Sequence, residues 1–215
     1  MRDNAGMQIH AMQLLRRTLS ALLLSAGLAQ AQPTPQTTIV ILRHAEKPEA
    51  GLGQLNCKGL NRALALAPLL LSRYGRPNAI YAPNPAQPKN DKGILYAYIR
   101  PLATIEPTAV RAGLPVQIAH GMEDIQPLAA QLLAQPPGLY FVAWEHHWAQ
   151  TLARSLVATL GGNSADVPVW DDADFDSLYV LRLRQDAQGR RSVDFRHEQQ
   201  NLNALPEECS AADAA

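Results

Sequence analysis

No run of basic residues longer than two occurs in this chain, and its formal net charge is +0. An extended nucleic-acid surface needs a basic stripe, so that class of function is set aside, although a few focused cations could still bind a single anion. Cysteine is scarce, with Cys57 and Cys209 alone. Neither thiol has a catalytic setting. Whether they pair depends on a Cα separation that sequence does not give. Internal repeats and a second domain are absent, as is the zincin pattern of histidines at i and i+4. Beyond residue 31 no apolar run is long enough to cross a bilayer.

What is present is ordinary globular composition, 47% hydrophobic and 18% charged over 215 residues, enough for a single domain. Residues 1–31 read as a signal peptide. Arg16 and Arg17 precede the apolar stretch Leu19 to Leu28, and Ala29-Gln30-Ala31 is a small-x-small cleavage site. The expected location is therefore periplasmic or secreted, with no membrane attachment after cleavage. An oxidising compartment would also permit the Cys57–Cys209 bond. The folded domain is expected over 32–205, with 206–215 as a disordered tail.

Two short apolar runs dominate the domain. Ile39 to Leu42 leads into Arg43 and His44, and Leu139 to Trp144 leads into Glu145, His146 and His147. Such runs read as strands buried on both faces, as in parallel sheets. Helical spacing marks about 58–74, with Leu60, Leu64, Ala67 and Leu71 as its apolar side, and also about 98–112, 123–134 and 148–160. Pro101 suits a first helical turn, whereas Pro107 would kink or split its helix. Short strands are expected at 79–81 and 115–119. A hairpin is expected from 178–183 with 192–196, and a long exposed loop from Asn84 to Gly93. Strands alternating with helices give the fold class: α/β, a three-layer sandwich with a mostly parallel central sheet flanked by helices.

If the two buried strands are neighbours, His44 and His146 emerge together at the carboxyl rim, about 4.8 Å being the spacing of adjacent strands. Ligands bind at that rim in open α/β sheets. Arg43 accompanies His44, and Arg100 starts a nearby helix. Two guanidiniums and two imidazoles suit a tetrahedral dianion.

Leu42-Arg43-His44-Ala45-Glu46-Lys47 resembles the signature of the histidine phosphatase superfamily, in its phosphoglycerate-mutase-like or acid-phosphatase branch, with Ala45 in the usual glycine place. Gly59-Leu60-Asn61-Arg62-Ala63, Arg100-Pro101-Leu102-Ala103-Thr104, Val142-Ala143-Trp144-Glu145-His146 and Asp174-Phe175-Asp176 resemble further family elements in the same order. The resemblance implies a phosphoglycerate-mutase-like fold and a phosphomonoesterase. His44 would be the nucleophile, with Arg43, Arg100 and His146 on the phosphoryl oxygens. A general acid is also needed. Glu123 is favoured for it, with Asp124 as the alternative. A small phosphorylated substrate is implied, and no metal or other cofactor.

Two other readings compete. A metallohydrolase using Glu145, His146, His147 and His44 is disfavoured, because adjacent histidines on a strand point to opposite faces. A non-catalytic member of the fold that binds phosphate or another anion is the alternative function.

Overall fold

The computed structural model describes residues 36–209, and the expected signal segment lies outside them. Its first strand is β1 (Gln36–Arg43), followed by helix α1 (Cys57–Tyr74) and β2 (Ala79–Tyr81). Then come β3 (Pro88–Asp91), β4 (Ile94–Ala97), α2 (Arg100–Ala112), β5 (Val116–Gln117) and α3 (Ile125–Leu133). The chain continues through β6 (Leu139–Trp144), α4 (His146–Thr159), a 3-10 turn at Ser164–Asp166, β7 (Ser177–Gln185) and β8 (Arg191–Gln199). The main sheet has the order β5-β2-β6-β1-β7-β8. β5, β2, β6 and β1 are parallel, β7 is antiparallel to β1, and β8 is antiparallel to β7.

The layers follow from the side-chain alternation of the central strands. Ile39, Ile41, Tyr140 and Val142 point to one face, where α3 and α4 contribute Leu128, Leu132, Leu152 and Leu156. Val40, Leu42, Phe141 and Ala143 point to the other, against Leu66 and Leu70 of α1 and Ile105 and Ala109 of α2. Both faces of β1 and β6 are thus covered, which is why those strands read as unbroken apolar runs. The fold is the expected three-layer α/β sandwich.

Three local expectations are corrected. The buried side of α1 is Gly59, Arg62, Ala63, Leu66, Ala67 and Leu70, and Leu60 and Leu64 are exposed. The helix is turned because Arg62 is drawn inward by buried acids described below. Pro107 does not split its helix, which continues through it to Ala112. The stretch expected as a loop from Asn84 to Gly93 contains β3 and leads into β4, a hairpin closed by Lys92-Gly93. Both turn residues have positive φ, 58° and 86°, as a tight two-residue hairpin turn requires.

The expected disordered tail is in part fastened. Cys209 is bonded to Cys57, with Cα atoms 4.6 Å apart. The Asn61 amide donates to the carbonyls of Pro206 and Glu208. Residues 210–215 lie outside the described residues.

Candidate active site

β1 and β6 are adjacent, parallel and in register, with Arg43 opposite Trp144. The ladder runs one residue further, His44 N–H donating to the Trp144 carbonyl at 2.9 Å. The chain ends of both strands therefore leave the sheet side by side.

His44 is buried. Its Nδ1 lies 2.7 Å from the Ala45 carbonyl, an acceptor, so Nδ1 carries the proton. Nε2 has no hydrogen-bond partner among the described residues and keeps its lone pair. Burial holds the imidazole pKa well below its ordinary value, and the charges of Arg43 and Arg100 push it the same way. Ala45 is fully buried. Its N–H donates to Thr104 Oγ1 at 2.9 Å, and that hydroxyl donates to the Arg100 carbonyl. The residue in the glycine place therefore fits, and it ties the loop after β1 to the start of α2.

Arg43 is clamped. Its Nη1 donates to the carbonyls of Asp172 and Asp174 at 2.7 and 2.9 Å. Its guanidinium carbon sits 3.9 Å from the centre of the Phe175 ring, a cation–π contact. Its Nε is buried without a partner. Arg100 is also buried, paired with Asp91 of β3 and donating from Nε to the Gln54 carbonyl at 3.2 Å. Burial and the Arg43 charge bring its pKa down to about 10, which leaves it cationic at neutral pH. The β3–β4 hairpin thus delivers the partner of Arg100.

His146 is the first residue of α4, not the last of a strand. Glu145 caps that helix, accepting from Trp148 N–H at 3.2 Å. His146 Nε2 lies 2.6 Å from Asp172 Oδ1. Its Nδ1 is 2.8 Å from Glu145 Oε1 but off the line of a good hydrogen bond. The Glu145 carboxyl is pulled down to about 2. Its burial opposes ionisation but is outweighed by His146, Lys89 and the Trp148 N–H. His147 is exposed, its ring centre 3.9 Å from that of His146. This corrects the opposite-faces argument. Glu145, His146 and His147 each present a donor atom, and those atoms lie within 4.8 Å of one another. The set could hold a metal on donor chemistry alone, but Lys89 lies 3.9 Å from Glu145 Oε1 and competes for the same carboxylate.

Tyr98 completes the wall. Its ring meets that of His44 edge-on, with centroids 5.9 Å apart, and its hydroxyl is buried without a partner. Burial and Glu145 raise its pKa well above the ordinary value, so the hydroxyl is a donor and not an ionised group.

The motif residues of α1 act behind this wall. Arg62 reaches Glu46 through Nε and Nη2 at 2.9 and 2.7 Å, and Asp176 Oδ1 and Gln200 Oε1 through Nη1 at 2.9 Å each. It fastens the loop after His44 to the segment that holds Phe175. Glu123 is exposed, its carbonyl accepts from Ile125 N–H at 2.8 Å, and its carboxylate has no hydrogen bond or ion pair among the described residues. Its turn is tied to the end of β6 by Trp144 Nε1, which donates to the Met122 carbonyl at 2.7 Å. The Asp124 carboxylate accepts from Gly121 N–H at 2.7 Å.

Sequence reasoning missed Asp91, Tyr98, Lys89 and Asp172, and took Glu145 only as a donor in a disfavoured metal site. Tyr98 and Asp172 carry no local signal. Glu145 could have been found as the residue between a strand and a helix start.

No protein-family model matches this chain, and no curated protein matches it. Among solved structures, one from Nakamurella multipartitia bears the provisional name phosphohistidine phosphatase SixA. It shares 15% identity over 77% of this chain and 98% of its own, with a TM-score of 0.49. A second, from Agrobacterium tumefaciens and with the same provisional name, shares 18% identity over 77% of this chain and 99% of its own, with a TM-score of 0.43.

Proposed function

We propose that this chain is an exported histidine phosphatase that hydrolyses phosphate monoesters through a phosphohistidine on His44. The observation that carries the reading is a neutral, buried imidazole whose Nε2 is unpartnered beside two buried guanidiniums. The donors Arg43 Nε and Tyr98 Oη are left unsatisfied around it. Buried donors without partners are rare in native proteins, and a catalytic role or a bound ion is among the explanations for them. A phosphoryl group has oxygens to accept from all of them.

In the first step Nε2 attacks phosphorus, an N–P bond forms and the ester P–O bond breaks. The leaving oxygen takes a proton, with Glu123 as the candidate donor. In the second step water attacks phosphorus and gives a proton back to that carboxylate, the N–P bond breaks, and phosphate and neutral His44 are released. Arg43, Arg100 and His146 hold the phosphoryl oxygens and stabilise charge as it develops. Protein cations supply that role, so the reaction is proposed to need no metal. Export is supported by the signal-like residues 1–31 and by the Cys57–Cys209 bond, since disulfides persist in oxidising compartments.

The test is a screen of phosphate esters with purified protein and its His44→Ala variant. Turnover by the native protein, its loss in the folded variant, and acid-labile, base-stable phosphate trapped on the native chain are expected. Turnover should survive chelator treatment. Equal turnover by the variant would reject the nucleophile. Binding of phosphate with no hydrolysis of any ester would favour the non-catalytic alternative.

A further inference from the structure

We propose that His146, His147 and Asp172 form a binding site for one divalent cation of the zinc class, and that filling it shuts the phosphoryl site. The metal site stands on its own geometry. Its effect on turnover rests on the phosphatase reading.

The proposed reaction uses neither the His147 ring nor the Asp172 carboxylate. Both side chains are open to solvent, at 63% and 80% exposure, so an ion reaches them directly. Their donor atoms converge with that of His146. Asp172 Oδ1 lies 2.6 Å from His146 Nε2 and 3.5 Å from His147 Nε2. The two rings have centres 3.9 Å apart and planes 36° apart. Ligands held at about 2.0–2.2 Å from a tetrahedral ion sit roughly 3.3 Å from one another. The His147 pair already has about that spacing. The His146 pair is closer and opens as an ion replaces the proton those two atoms share. The exposed Asp172 carboxylate is free to give, while its backbone stays fixed by the carbonyl that holds Arg43.

An outer partner stands behind these donors. His146 Nδ1 faces Glu145 Oε1 at 2.8 Å. A carboxylate behind the far nitrogen is the common support of a metal-bound histidine, because it orients the ring and leaves the other nitrogen for the ion. Lys89 competes for Glu145 as a direct ligand, but in this outer role the carboxylate serves both. Neighbouring cations are answered: Arg100 by Asp91, Lys89 by Glu145, and Arg43 by the charges of Glu145, Asp172 and Asp174. Two imidazoles and one carboxylate suit zinc, copper or nickel, whereas magnesium and calcium take oxygen ligands. With Nδ1 turned to Glu145, Nε2 is the ring nitrogen of His146 left for a phosphoryl oxygen. An ion bound there takes it out of use.

The test is calorimetric titration of the untagged native protein with Zn2+ alone. One ion per chain is expected. His147→Ala and Asp172→Asn should each weaken it about tenfold or more, since losing even an outer partner of a metal site costs about 10–100-fold. His120→Ala removes an imidazole bound to Gln131 of α3 and should leave Zn2+ binding unchanged. Mg2+ should not compete. On any ester the native protein hydrolyses, Zn2+ should inhibit and a chelator should restore turnover. His147→Ala should hydrolyse that ester as the native protein does and resist Zn2+. No Zn2+ binding, or equal affinity in the native protein and both site variants, overturns the metal site. Binding at the site with turnover undiminished overturns the shut-off. Should no ester be hydrolysed, the phosphatase reading fails by itself, and the calorimetry still decides the metal site.

Discussion

Gly59 in the first turn of α1 lies against the backbone of Glu46, two residues beyond the candidate nucleophile. A Cβ at Gly59 would sit 2.9 Å from Glu46 N and closer still to its carbonyl oxygen. Here glycine serves close approach and not a left-handed turn. Gly59→Ala must push the helix or the His44 loop away. A loss of about 1–3 kcal/mol is expected in urea unfolding, together with lower kcat on any ester the native protein turns over. Unchanged stability and turnover would show that the loop yields freely.

Arg62 bridges Glu46 and Asp176, both largely buried. Removing it leaves two acids facing each other without their cation. Arg62→Met should cost about 3–5 kcal/mol by chemical denaturation, the usual penalty for stranding a buried charge. Because Asp176 also accepts from the N–H groups of Asn201 and Leu202, the variant should also loosen the segment leading to the disulfide. Faster amide exchange at those two residues would report it.

The Tyr98 hydroxyl has no partner in the free protein. If it donates to bound phosphoryl oxygen, Tyr98→Phe lowers kcat/KM by about tenfold. The same change should leave stability equal or slightly higher, because an unsatisfied buried polar group is removed. A variant that is less stable and equally active would assign the hydroxyl a purely structural role.

His44 gives a pH dependence of defined sign. Its folded pKa is depressed by burial, so below about 6.5 the unfolded chain takes up a proton there that the folded chain refuses. Stability is undiminished above that pH and falls as the pH drops through it, by up to about 1.4 kcal/mol per pH unit from this group. The urea stability of the native protein relative to His44→Ala should therefore decline between pH 7.5 and pH 5.5. The His44 imidazole stays neutral over the same interval. The acid limb of kcat/KM should then lie well below 6.5, and an inflection at 6.5 would place the ring in a wetter setting.

Much of the frame was legible because β1 and β6 are covered on both faces, and double coverage writes an uninterrupted apolar run. β2 was legible for the same reason. The start of α4 was not. Its cap is Glu145, a residue without a strong capping preference, so His146 and His147 read as strand residues and their side-by-side placement was hidden. The β3–β4 hairpin was hidden too. Pro88-Lys89-Asn90-Asp91 has no apolar alternation, and its turn is Lys-Gly in place of Asn-Gly. Arg43 and His44 were found because local sequence places both at a strand end. Lys89, Asp91 and Asp172 belong to the site only through tertiary approach, and no spacing in the chain announces that.

β1 has a hydrogen-bonded neighbour on each side, β6 running with it and β7 against it. His44 is therefore mounted at the end of an interior strand whose amides are hydrogen-bonded from both edges. Thermal wandering of the His44 backbone is suppressed at its source. Whatever adaptation the pocket makes to a ligand must come from the hairpin and the loops around it.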